Sequence, residues 1–134
     1  MRELAYYEAK FEALNEIMTA DSRVHLINGT FLSLSPRRHV FQELQKKFPD
    51  RIVAPPISEL GFCGLATGAA MAGLRPVVDL STGSFIFEGW PQVANEAANA
   101  FYMSGSQTRV PVASALMFQP KPYVVVPSRT RAGV

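Results

Sequence analysis

The chain has 134 residues, 48% hydrophobic and 18% charged, with a net charge of +2. Those proportions suit one folded domain and argue against a disordered chain. No apolar run approaches the roughly 20 residues that span a bilayer. Cys63 is the single cysteine, so an internal disulfide is excluded and a reducing, cytoplasmic setting is expected.

Leu4, Tyr7, Phe11, Leu14 and Met18 recur at steps of three and four, the signature of one helix face. Asp21-Ser22 ends that helix, and Val24 to Ile27 reads as a short buried strand before an Asn28-Gly29 turn. Ser35-Pro36 predicts an N-cap with proline in the first turn. Val40, Phe41, Leu44 and Phe48 give the next helix its apolar face. Arg51-Ile52-Val53 predicts a second strand, stopped by Pro55-Pro56. From Glu59 to Ala72 small residues dominate, and Gly73 supplies a C-cap. Such a helix needs close packing, because each interior glycine costs about 1 kcal/mol against alanine.

Val77 to Leu80 predicts a third strand, followed by the loop Ser81 to Ser84 and a helical stretch over 85–102. Pro91 inside that stretch predicts a kink or the true helix start. Val110-Pro111-Val112 opens a fourth predicted strand, and Tyr123 to Val126 is a fifth. Strands alternating with helices imply an α/β domain, a mainly parallel sheet with helices on both faces. Residues 1–118 read as that domain, and 119–134 as an irregular basic tail. Residues 1–96 carry nine Lys/Arg against eleven Asp/Glu, whereas Arg109, Lys121, Arg129 and Arg131 stand in 97–134 with no acid. Four scattered charges without interleaved aromatics make a weak nucleic-acid footprint, so no such partner is expected.

Ligands of parallel sheets sit beyond the carboxyl ends of the strands, which directs attention to Pro55–Glu59 and Ser81–Phe85. Glu59 is the sole acid between Asp50 and Asp79. With Ile57, Leu60, Phe62 and Cys63 around it, it reads as a carboxyl of raised pKa suited to acid/base work. The alternative is a carboxylate stabilised by the positive end of its helix. Gly61, Gly64 and Gly68 match neither a dinucleotide fingerprint nor a P-loop, and they fit close helix packing at a subunit boundary better. Phe85, Phe87 and Trp90 suit stacking on a flat ring, although such clusters more often form core. Neither His25 nor His39 lies near a nucleophile with an orienting acid. One cysteine and two histidines are too few for a zinc site.

Residues 56–78, running from Pro56-Ile57-Ser58-Glu59 to Arg75-Pro76-Val77-Val78, resemble the pyrimidine-binding domain of transketolase-like thiamine diphosphate enzymes. The nearest likeness is to β subunits of the pyruvate and branched-chain 2-oxoacid dehydrogenase decarboxylase component. It extends through Phe85, Gln92-Val93, Asn95 and 102–105 to Val112, and back to Arg2-Glu3-Leu4. The resemblance implies thiamine diphosphate as cofactor, with Glu59 as the catalytic glutamate that hydrogen-bonds the aminopyrimidine. That contact promotes the imino tautomer that takes up the thiazolium proton. Phe85 matches the aromatic residue packed on the pyrimidine, and Ile57 a neighbouring contact. The resemblance also implies an oligomer with an α-type partner subunit that carries the diphosphate and magnesium site.

Several positions depart from that family. Asn28-Gly29-Thr30 replaces an acidic turn, Glu88 a common glutamine, Gly83 a common aromatic residue, and Pro91 an aspartate. Ala113-Ser114-Ala115-Leu116 follows Val112 where an arginine-glycine loop and a His-Ser motif are expected, and no histidine follows His39. The family's C-terminal domain does not appear in this sequence. The expectation is therefore half of a cofactor site, inactive alone. The alternative is a non-catalytic assembly or regulatory module that uses the same interface.

Overall fold

The structure, a computed structural model, describes residues 6–27 and 38–117. Helix α1 (Tyr6–Ala20) leads into β1 (Val24–Ile27), and α2 (Arg38–Lys47) into a 3-10 turn (Pro49–Arg51) and β2 (Ile52–Val53). Then come α3 (Glu59–Met71), β3 (Arg75–Thr82), a 3-10 turn (Gly83–Phe85) and α4 (Ile86–Trp90). A π-helical run (Pro91–Ala97) joins α4 to α5 (Ala98–Met103), and β4 (Ala113–Met117) follows. The predicted caps at Ser35-Pro36, the fifth strand at Tyr123 to Val126 and the 119–134 tail lie outside the described residues.

The four strands are all parallel in the order β2-β1-β3-β4. Leu26 of β1 stands beside Ile52 on one side and Val77 on the other, so β1 and β3 are the interior strands. The chain leaves β1 towards one flank and returns on the other. A reversal of that kind, between β1 and β3, is where ligands of open parallel sheets generally bind.

Side chains alternate across a strand, and here the alternation divides two cores. Val24, Leu26, Ile52 and Val77 face α1 and α2, where Phe11, Leu14, Met18, Phe41 and Leu44 meet them. Ile27, Val78 and Leu80 face the other way, onto Phe62, Cys63 and Ala66 of α3, with Ile86 and Val93 alongside. Helices therefore cover both faces, as the alternating pattern predicts. α3 ends on Gly73 at φ +97, with Leu74 N–H donating to the Ala69 carbonyl and Gly73 N–H to that of Ala70. This Schellman closure confirms the predicted glycine cap.

The third strand runs from Arg75 to Thr82, past both ends of the predicted Val77–Leu80 and into the predicted Ser81–Ser84 loop, and two other predicted boundaries move for a physical reason. β4 begins at Ala113 because Pro111 has no N–H for a ladder, while Val112 N–H turns back to the Val110 carbonyl at 2.9 Å. Pro91 neither starts nor ends its helix; it opens the π-helical run. A wider i→i−5 pairing lets the next residue serve the carbonyl that proline leaves unpaired, so the helix passes through.

Asp79 has the parity of Val77 and so points at α1, where its Oδ2 lies 3.0 Å from Lys10 Nζ. Their side chains are 2% and 9% exposed. Its Oδ1 accepts Ser81 N–H at 2.9 Å, and Ser81 takes φ +61 where the β3–β4 ladder is bulged. Asp79→Asn would leave a buried ammonium without its countercharge, at a cost of about 3–5 kcal/mol in denaturant unfolding. Replacing both partners, Lys10→Met with Asp79→Leu, is expected to cost markedly less.

At the opposite end of the sheet Asp21 ties three segments together. It accepts Arg23 N–H at 2.9 Å and the Arg23 guanidinium at 2.8 and 3.0 Å, with Arg75 at 3.4 Å. Its carbonyl accepts Arg51 at 3.2 Å. The Arg23 side chain above all, then its backbone N–H, holds the Asp21 carboxyl down from 3.8 to about 2. A depressed carboxyl stabilises the fold above its unfolded pKa, and that gain is lost as pH falls through the folded one. Asp21→Asn should therefore flatten the fall in stability between about pH 4 and pH 2, as read from urea midpoints.

Candidate functional site

The segment after β2 is shaped by its cap. Ser58 is extended, at φ −164 and ψ 95, and its Oγ accepts Gly61 N–H at 3.2 Å. A Cβ at Gly61 would stand 2.9 Å from that hydroxyl, so a larger residue there would have to push the capping side chain aside. Glu59 is therefore the first residue of α3, at the positive end of the helix, where a carboxylate is favoured. Its side chain is half-buried, and no described donor reaches its carboxylate. Ile57 and Leu60 turn outward, 59% and 47% exposed, while Phe62 and Cys63 face the sheet. The apolar neighbours expected to enclose the carboxyl thus leave one side of it open.

β3 delivers Phe85 by a different route. After the bulge at Ser81 the chain makes the 3-10 turn Gly83–Phe85 and enters α4, leaving Phe85 half-buried. α3 and α4 pack directly, and Gly89 of α4 lies against the Glu59 carbonyl and Cys63. The strand-end turns bearing Glu59 and Phe85 are thus carried on touching elements, whereas Ile57 stands out on the loop. Phe87 and Trp90 are 74% and 51% exposed, so they are not the core aromatics that their clustering suggested. Gly64 meets the Gln92 side chain, while Gly68 faces open space.

Burial, and secondarily the Glu59 carboxylate one turn away, push the Cys63 thiol from 9.0 up to about 11. His25 sits on β1 with Nδ1 2.9 Å from the Arg23 carbonyl, and His39 is exposed on α2. Among the described residues no cluster of three His, Cys, Asp or Glu could hold a metal ion. Nor is any described helix long and apolar enough to cross a membrane.

A parallel sheet reversing at β1, with a glutamate opening the glycine-rich helix, invites comparison with known proteins. The family described as transketolase, pyrimidine binding domain, matches residues 2–121. The chain belongs to that family. It is 40% identical over 106 residues to the pyruvate dehydrogenase E1 component subunit beta of Rickettsia conorii. It is 41% identical to the mitochondrial counterpart of Bos taurus over the same length. Each match covers 78% of this chain, and 32% and 30% of the relative, so the chain spans about a third of the length of those proteins. Among solved structures it resembles a split gene transketolase, an inactive beta4 tetramer, with TM-score 0.68 at 20% identity. That likeness covers 86% of this chain and 34% of the other, and supports the fold.

The sequence pattern alone does not single out the Lys10–Asp79 pair or Gly89. An acid within Val77-Val78-Asp79-Leu80 was the available signal for the pair, since a charge on an apolar strand demands a partner. Gly89 carried no such signal. Because Ser58 holds the turn that presents Glu59, Ser58→Ala should cost about 1 kcal/mol of stability in thermal or urea unfolding.

Proposed function

We propose that this chain supplies the pyrimidine half of a thiamine diphosphate site, shared with an α-type subunit that carries the diphosphate and magnesium. The assignment takes residues 1–118 as the pyrimidine-binding domain. The observation that carries it is Glu59: a half-buried carboxylate at a strand-end helix start, met by no described donor, on the element packed against the one Phe85 leads into. The residues suit an aminopyrimidine. Glu59 offers a carboxyl oxygen to hold and return a proton at a ring nitrogen, Phe85 an aromatic face, and Ile57 exposed methyl groups for a ring edge. When bound, thiamine diphosphate supplies the nucleophilic carbon that decarboxylation of a 2-oxo acid requires.

The relatives being named subunits supports assembly with other chains, and the α-type partner follows from the shared site. A second reading, a non-catalytic assembly or regulatory module, draws on Ala113-Ser114-Ala115-Leu116 standing where a histidine-bearing segment is expected. Calorimetric titration with thiamine diphosphate and magnesium, with and without an α-type subunit, separates the two. Decarboxylation is expected only with the partner, and Glu59→Gln should lower kcat by about 10²–10⁴-fold while the fold is kept. Assembly without cofactor binding, with Glu59→Gln unchanged in every measurement, would establish the second reading.

A further inference from the structure

Glycine is the poorest helix former after proline, so a buried glycine inside α4 needs a packing reason. A Cβ on Gly89 would stand 2.7 Å from Cys63 Sγ and 3.3 Å from the Glu59 carbonyl oxygen. The first distance is closer than real carbon–sulfur contacts allow, and the second presses on backbone. Cys63 lies one turn after Glu59 on α3, and Gly89 one turn after Phe85. The contact therefore joins the two turns that bear the proposed ring contacts. Beside that contact, a Cβ at Gly64, the next residue of α3, would meet the side chain of Gln92, three residues after Gly89, at 3.3 Å. The two helical segments are thus in close approach at two neighbouring points, which resists sliding of one along the other.

We infer that Cys63 and Gly89 are a size-matched positioning pair that sets the separation between the Glu59 carboxyl and the Phe85 ring. The thiol occupies the volume that a side chain at position 89 would need, and the missing Cβ lets α4 seat on the Glu59 turn. Neither residue touches the cofactor; they act through the residues they place. This role rests on the thiamine diphosphate reading, whereas the steric coupling of the pair does not. The thiol stays neutral at physiological pH, in keeping with a packing role.

A double-mutant cycle on the full chain tests the pair, reading both melting temperature and calorimetric affinity for thiamine diphosphate with magnesium, the α-type subunit present. Gly89→Ala should lower the melting temperature by about 5 °C or more and weaken binding by about tenfold or more. Cys63→Ala should do less, and the double variant should regain most of both losses. Should Gly89→Ala fail to fold, recovery of a folded, binding-competent double variant supports the pair by itself. Additive losses in the double variant, or a Gly89→Ala protein like the parent, would overturn it. Coupled melting temperatures with normal affinity throughout would overturn the positioning role. No cofactor affinity in the parent would instead overturn the thiamine diphosphate reading and the positioning role with it, while the melting cycle alone decides whether the pair is sterically matched.

Discussion

Parallel strands have to be covered on both faces, because every crossover lays a helix against the sheet and leaves neither side to water. Most of this molecule follows from that requirement. β1 and β3 sit inside the sheet, so their successive residues must satisfy two different cores. Leu26 and Val77 belong to one, and Ile27 and Val78 to the other. A one-residue slip would exchange the faces and strand Asp79 on the wrong side, away from Lys10. The buried ion pair therefore marks the register as well as the strand, because only one alignment gives that carboxylate its partner.

The same demand governs the glycine-rich helix. α3 must press on the sheet through Phe62, Cys63 and Ala66 while the continuous helical segment from Ile86 packs beside it. Two helices meet that closely only where side chains are small, and Gly64 and Gly89 mark the contacts. Helix propensity is given up for proximity there. The proximity brings the turns following β2 and β3 onto touching helices, which places Glu59 and the Phe85 turn on one side of the domain. The Ser58 cap and the Ser81 bulge then aim each turn from its own strand.

Much of the fold was legible because its signals are local and periodic. The steps of three and four from Phe11 to Met18, the apolar run at Val77, and the Gly73 stop each rest on neighbours a few residues away. Glu59 was legible for a similar reason, as an isolated acid opening a helix after a strand. The passage of the helix through Pro91 was not, since it depends on a carbonyl finding a donor one residue later than usual. The exposure of Phe87 and Trp90 was also hidden: an aromatic residue says how much surface it brings, not which way its helix is turned.

By itself, the order of residues determined the alternation of strands and helices, the cap at Gly73, and the place of the one acid that opens the glycine-rich helix. Each follows from backbone chemistry within a turn or two of chain. Tertiary structure alone decided that Lys10 answers Asp79 across 69 positions. It also decided that Gly89 yields its side-chain volume to Cys63, and that α3 and α4 meet closely enough for Gly89 to lie against the Glu59 carbonyl. These are steric and electrostatic matches between distant segments, and they exist only once both cores have closed on the sheet.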